Sequence, residues 1–293
     1  MTQVDLGALS ELRARDPGRV AQLWAQRERR DLLGADGRLL LVAADHPARN
    51  SLGVRGDPLA MGDRADLLRR MLEALAVPGV DGVLGTPDVL EDLLLLGALD
   101  GRVVAGSMNR GGLQGAAFEL DDRFTAYTPE AIGALGLDAG KTLTRVCLDD
   151  PSSVATLQAT AEVVNSLAQQ RIPAIIEPFM TAWDDGRAVN LLDPESVVRS
   201  VGIASALGAT SAFTWLKLPV VPDMERVLAA TSLPTLLLGG DPTAEPEQTY
   251  ALWRKALALP VARGLVIGRA LLYPPDGDVT AAVRTAVEMV HGE

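Results

Sequence analysis

Eight short apolar runs, each followed by a segment of helix length, predict a single parallel (β/α)8 barrel, the TIM-barrel class of α/β fold. Two further observations favour a closed sheet over a doubly wound one. The chain has 293 residues without a break in composition, a typical length for one such barrel. The turn after the first run, Asp45-His-Pro-Ala-Arg-Asn50, holds no glycine, whereas a doubly wound sheet usually opens on a glycine-rich turn.

Residues 5–33 read as polar, amphipathic helix, interrupted at Asp16-Pro17-Gly18. The chain thus divides into an N-terminal helical extension, residues 1–36, and a barrel domain, residues 37–293. The extension is expected to cap the bottom of the barrel or to serve a subunit contact. The predicted strands are Leu39–Ala44, Val80–Leu84, Arg102–Gly106, Thr142–Leu148, Ile172–Ile176, Ala212–Leu218, Thr235–Leu238 and Gly264–Ile267. Helix starts follow at Gly62-Asp63, Thr86-Pro87, Thr128-Pro129, Asp150-Pro151, Asp193-Pro194, Pro222-Asp223, Thr243 and Asp276. Several combine a capping Asp or Thr with Pro in the first turn, where its missing N–H costs nothing.

Composition narrows the function classes. Apolar residues make up 48% and aromatics 4%, so the core is built mostly of Ala, Leu and Val. A net charge of −11 leaves no basic stripe to meet nucleic acid. The apolar run Leu93–Leu96 is too short to span a bilayer, and no secretory leader pattern opens the chain. A single cysteine, Cys147, excludes an intramolecular disulfide; it reads as an inert core thiol and fits a reducing cytoplasm. With two His and one Cys, a His/Cys metal site is not expected.

The strongest chemical signal is a lysine. The chain has 24 Arg and three Lys: Lys141, Lys217 and Lys255. Lys141 and Lys255 read as solvated charges. Lys217 lies inside Phe213-Thr-Trp-Leu-Lys-Leu-Pro-Val220, an apolar, strand-like run. An ammonium there costs several kcal/mol of desolvation unless it loses its proton or finds a partner. Arginine cannot act as a nucleophile in a protein, whereas a desolvated lysine can, so Lys217 is the candidate Schiff-base residue. Strand alternation sends Phe213, Trp215 and Lys217 to the barrel interior together.

Barrel chemistry sits at the C-terminal ends of the strands. Strand one ends in Asp45-His46, strand three in Ser107-Met-Asn-Arg110 and strand five in Glu177-Pro178. Asp45 and Glu177 are the candidate proton shuttles; His46 reads as a substrate contact or a turn residue. Asn109 and Arg110 belong to a loop that reads as a turn or a lid. Arg145 shares the parity of the inward face of strand four, with Glu177 as its closest carboxylate by strand order. Strands seven and eight end in Gly239-Gly240 and Gly268-Arg269. Consecutive glycine ends on the last two strands suit a phosphate held on backbone N–H groups, with Arg269 as a clamp.

Leu41-Val-Ala-Ala-Asp45, Glu177, Trp215-Leu-Lys-Leu-Pro219, Gly239-Gly240 and Gly268-Arg269 together resemble the class I aldolases grouped with deoxyribose-phosphate aldolase. The tagatose-bisphosphate and archaeal-type fructose-bisphosphate branch is the more similar. The resemblance runs from about Leu39 to Tyr273. It implies an imine on Lys217, proton transfer by Asp45 and Glu177, and no cofactor. Two departures stand out. Where relatives carry a lysine on strand four this chain is read as having Arg145, suited with Arg110 to a substrate carboxylate. The lysine, threonine and glycine signature of true deoxyribose-phosphate aldolases is replaced by Leu218-Pro219. Such diverged chains resemble the aldolases of inositol degradation, which implies 6-phospho-5-dehydro-2-deoxygluconate as substrate. The expectation is a cytoplasmic, cofactor-free, homo-oligomeric carbon–carbon lyase acting on a small phosphorylated ketose or keto acid. A pyridoxal-phosphate barrel enzyme and a non-catalytic sugar-phosphate-binding protein are the rival classes.

Overall fold

Strands buried on both faces read as continuous apolar runs, and the computed structural model, which describes residues 4–109, 112–239 and 246–292, has eight of them closed into a parallel ring. In chain order the strands are β1 Leu39–Ala43, β2 Gly82–Gly85, β3 Val103–Ser107, β4 Ala139–Val146, β5 Ala174–Asp184, β6 Arg187–Asn190, β7 Thr214–Pro219, β8 Thr235–Leu238 and β9 Ala262–Ile267. The ring runs β1-β2-β3-β4-β5-β7-β8-β9 and closes through the β1–β9 pairing. The short strand β6 lies outside it, paired antiparallel with the far end of β5. The helices are α1 Leu6–Arg15, α2 Gly18–Gln26, α3 Arg64–Leu75, α4 Pro87–Leu95, α5 Pro129–Ala134, α6 Ser152–Gln169, α7 Pro194–Ser205, α8 Met224–Leu228, α9 Pro246–Leu257, α10 Arg269–Leu272 and α11 Val279–His291.

Alternation divides the core into two layers. Leu40, Val42, Val83, Val104, Ile176 and Leu216 face outward into the large cluster beneath the helices. Leu39, Leu41, Leu84, Val103, Ile175 and Trp215 fill the barrel interior. The predicted caps at Asp63, Thr128, Asp193 and Asp223 each accept a backbone N–H of the first helical turn, an interaction worth about 1 kcal/mol. Thr243 lies outside the described residues. The last helix starts two residues later than the sequence suggests: Asp278 caps it, and Asp276 accepts the N–H of Asp278.

Strand boundaries differ where small residues hide them. β4 begins at Ala139, three residues before the predicted start, because Ala139-Gly140 resembles a loop in sequence. Gly140 is a packing requirement: a Cβ there would stand 2.6 Å from Met108 Sδ and 2.8 Å from Leu167. β5 continues to Asp184, eight residues past Ile176, as one arm of a hairpin. Phe213 precedes β7 and is partly exposed, so the inward set on that strand is Trp215 and Lys217.

The predicted helix over 5–33 ends at Gln26. The chain then crosses the N-terminal mouth of the barrel. Leu32 and Leu33 pack on the interior layer. Arg27 donates to the carbonyls of Arg102 (2.8 Å) and Gly136 (2.7 Å) and pairs with Asp138. Asp138 and Asp81 in turn accept the backbone N–H groups of Val104 (2.8 Å) and Leu40 (2.7 Å) at the strand starts. These contacts close that end, and the open end is the one at the C-terminal ends of the strands. Among the described residues no helix is long and apolar enough to cross a membrane.

Candidate active site

A cavity of about 400 Å³ opens at that end, lined by Asp45, His46, Arg49, Glu177, Lys217, Gly239, Gly268 and Arg269 among others. Of the residues singled out in the sequence, it brings together seven. Arg145 is not among its lining residues, and Gly240 and Arg110 lie outside the described residues.

Lys217 projects inward from β7 above Trp215, and its Nζ donates to Glu177 Oε1. Glu177 comes from the neighbouring β5, two residues beyond Ile175, which pairs with Trp215. Its second oxygen, Oε2, meets the Nζ of Lys141. Lys141 is wholly buried on β4 and reaches Asp45 Oδ2 at 3.3 Å. Asp45 Oδ2 also accepts Ser107 Oγ at 2.9 Å. The chain Lys217–Glu177–Lys141–Asp45–Ser107 thus alternates donors and acceptors across β7, β5, β4, β1 and β3. Two ammonium groups facing two carboxylates are formally neutral, the condition under which a buried ionic cluster is tolerable.

Lys141 corrects the sequence reading. It is a lysine on strand four, where only Arg145 had been read as a charged site residue, and it is buried instead of solvated. Pairing Ser107 with Lys141 across β3 and β4 sets both side chains at the level of Asp45. Ser107 likewise went unread as a site residue, although it begins the strand-end motif that contains Asn109. The Asn109 amide ties the backbone of Leu143 to the carbonyl of Asp122.

Arg145 is a second correction. Its partner is not Glu177 but Asp122, which accepts Nε (2.9 Å) and Nη2 (2.6 Å) in a bidentate fork. Nη2 also donates to the Glu119 carbonyl, and the Glu119 carboxylate stands 3.8 Å from Nη1. Both acids come from the long segment between β3 and α5, whose position strand order cannot supply.

The glycine ends of β8 and β9 line the cavity, with Arg269 opening α10. Arg269 Nη1 donates to the Gly53 carbonyl at 3.1 Å. Gly268 is required sterically as well: a Cβ would fall 2.6 Å from both the Ala43 carbonyl oxygen and His46 Cε1. Burial, then the charges of Arg269 and Lys217, lower the His46 pKa to about 3, so its imidazole is neutral near pH 7. Its Nδ1 is buried without a hydrogen-bond partner and lies 3.9 Å from Asp45 Oδ1. Among the described residues no group of three or more His, Cys, Asp or Glu could hold a metal.

Structures of similar shape include class I enzymes. An archaeal fructose 1,6-bisphosphate aldolase superposes with a TM-score of 0.66 at 19% identity, covering 94% of this chain and 100% of that one. An archaeal fructose-1,6-bisphosphate aldolase with its catalytic lysine bound to the carbinolamine intermediate gives the same score and identity over 93% and 100%. At such identity the likeness is one of fold. No curated protein matches the sequence. The crystal structure of Cgl0159 from Corynebacterium glutamicum is much nearer, with 53% identity and a TM-score of 0.95 over 98% of this chain and 96% of that one. The Cgl0159-like family profile matches residues 37–287, and the chain belongs to that family.

Proposed function

We propose that this protein is a class I aldolase that cleaves or forms a carbon–carbon bond in a phosphorylated ketone through an imine on Lys217. The observation that carries the proposal is the contact between Lys217 Nζ and Glu177 Oε1 at the wall of the cavity, backed by Lys141 and Asp45. Glu177 takes a proton from the Lys217 ammonium, and the free amine adds to the substrate ketone. Loss of water from the carbinolamine leaves an iminium ion. Asp45 accepts the proton of the hydroxyl β to that carbon, the carbon–carbon bond breaks, and the aldehyde leaves. The bonding pair becomes the carbon–carbon double bond of an enamine as the C=N π pair moves onto nitrogen. Protonation of the enamine carbon and addition of water release the smaller ketone and restore Lys217. The Lys141 ammonium keeps a positive charge beside both carboxylates while their protons move.

Gly239, Gly268 and Arg269 are suited to the substrate phosphate, at the end of the cavity beside His46. Lys217 and this phosphate corner together favour dihydroxyacetone phosphate as the ketone half. The resemblance to inositol-degrading aldolases makes 6-phospho-5-dehydro-2-deoxygluconate the first substrate to assay, with fructose and tagatose bisphosphates and deoxyribose phosphate as comparators. The test is borohydride reduction with dihydroxyacetone phosphate followed by peptide mass mapping. A stable adduct on Lys217, absent from a folded Lys217→Met variant, is the expected result. An adduct on Lys141 or Lys255, or none at all, would overturn it.

A further inference from the structure

Lys141 and Lys217 both meet Glu177, but they differ in access to the cavity. Lys217 lines it, whereas Lys141 is wholly buried and is not among its lining residues. Both ammonium groups face carboxylates, so ion pairing alone does not choose between them as nucleophile. An amine must meet the substrate carbonyl before an imine can form. Whatever separates Lys141 from the cavity therefore decides which nitrogen reacts.

The separating residue is Leu143. Side chains alternate along β4, so Leu143 shares the inward face of Lys141, two residues nearer the open end. It lines the cavity and is 4% exposed, against 0% for Lys141. Its register partner on β5 is Glu177, whereas Lys141 pairs one step lower with Ile175. Leu143 thus stands beside the carboxylate that Lys141 meets from below. Phe179 and Leu238 pack with it as a small apolar cluster, separate from the two core layers, and both also line the cavity. The Leu143 backbone is clamped by one side chain: its N–H donates to Asn109 Oδ1 (2.6 Å), and its carbonyl accepts Asn109 Nδ2. The cover over Lys141 is therefore apolar and fixed in place.

Resting on the aldolase reading, we infer that Leu143 selects the nucleophile: it screens Lys141 from the substrate ketone, so that the imine forms on Lys217 and Lys141 is kept as counter-ion to Asp45 and Glu177. The chemistry requires this division. An ammonium has three N–H donors, whereas an iminium nitrogen, bonded to two carbons, keeps one. One donor cannot serve both Glu177 Oε2 and Asp45 Oδ2, the two oxygens that Lys141 reaches. Leu143 acts through Lys141 and is a positioning residue.

The experiment reads where amine reagents land. In the first arm, dihydroxyacetone phosphate and borohydride are added to the wild type, Lys217→Met and Lys217→Met/Leu143→Ala, and adducts are located by peptide mass mapping. Lys217→Met is expected to carry no adduct on Lys141. Truncating Leu143 leaves a space that its surroundings fill only in part, so the double variant is expected to be trapped on Lys141. A folded double variant without that adduct would overturn the inference, as would Lys141 trapping in Lys217→Met alone. In the second arm, formaldehyde and cyanoborohydride methylate amines with no aldolase chemistry. A covered amine is reached only when its cover opens, so methylation of Lys141 is expected to rise by at least about 10-fold from wild type to Leu143→Ala. Leu143→Met, which conserves volume, should leave it near the wild-type rate. Lys141 methylated in the wild type as fast as the exposed Lys255, or still protected in a folded Leu143→Ala, sinks the inference. Leu143→Val removes less of the cover and carries both arms if Leu143→Ala does not fold. No ketone adduct on any wild-type lysine, with methylation of Lys141 still governed by Leu143, would instead refute the aldolase reading and leave the cover standing.

Discussion

Two buried ionic clusters share β4 and differ in kind. Around Arg145, a bidentate fork to Asp122 and the nearby Glu119 carboxylate hold a charge that cannot leave the guanidinium. Around Lys217, two amines and two carboxylates meet through single-point contacts, and one side of the cluster faces the cavity. Arginine locks a loop; lysine leaves protons that can move. The same strand presents Lys141 to the second cluster and Arg145 to the first, four residues farther along the same inward face. An arginine-rich chain that retains lysine at the cavity cluster separates fixed charge from charge that a proton can carry away.

That separation can be broken from either side. The largest effect is expected at Lys217: Lys217→Met abolishes imine trapping and turnover, while circular dichroism and thermal melting report a folded barrel. On the structural side, Arg145→Met is expected to cost about 3–5 kcal/mol in denaturant unfolding, because it strands Asp122 and Glu119 without their counter-charge. Its turnover per folded molecule should stay far closer to wild type than that of Lys217→Met. A variant as stable as wild type, or one folded yet inert, would erase the distinction.

Arg269 tests the phosphate corner. Arg269→Ala should weaken a phosphorylated substrate by about 1.5–3 kcal/mol and its dephospho analogue by much less, read from kcat/KM. Equal losses would mean that Arg269 is structural, its contact with the Gly53 carbonyl included. The smallest effect near neutrality belongs to His46. Its folded pKa of about 3 lies below the ordinary histidine value, so between these values the unfolded chain binds the extra proton. Stability is therefore complete above about pH 6.5 and falls as pH drops toward 3, by at most about 1.4 kcal/mol per pH unit. His46→Gln should flatten that slope relative to wild type in parallel unfolding curves at pH 5 and pH 7. Identical slopes would place the imidazole in a more solvated setting.

Much of the active end could be read along the chain. Apolar runs of the right length and the caps that follow them report the barrel, because parallel strands buried on both faces admit few polar residues. Once the barrel is assumed, alternation and strand ends bring Asp45, Glu177 and Lys217 to one mouth, and in the structure they line one cavity. Each of these inferences uses only local periodicity and the rule that barrels expose their strand ends.

What the sequence by itself determined is thus the class of fold and the lysine most suited to imine chemistry; the partners of every buried charge were decided by tertiary structure. Lys141 escaped notice because Ala139-Gly140 looks like a loop, although the glycine only makes room for Met108 and Leu167. Asp122 and Glu119 reach Arg145 from a segment with no periodic pattern, so nothing local records the contact. A charge in a chain carries no mark of its counter-charge, since ion pairs form wherever folding brings the groups within reach, and that distance is set by packing and not by spacing in sequence.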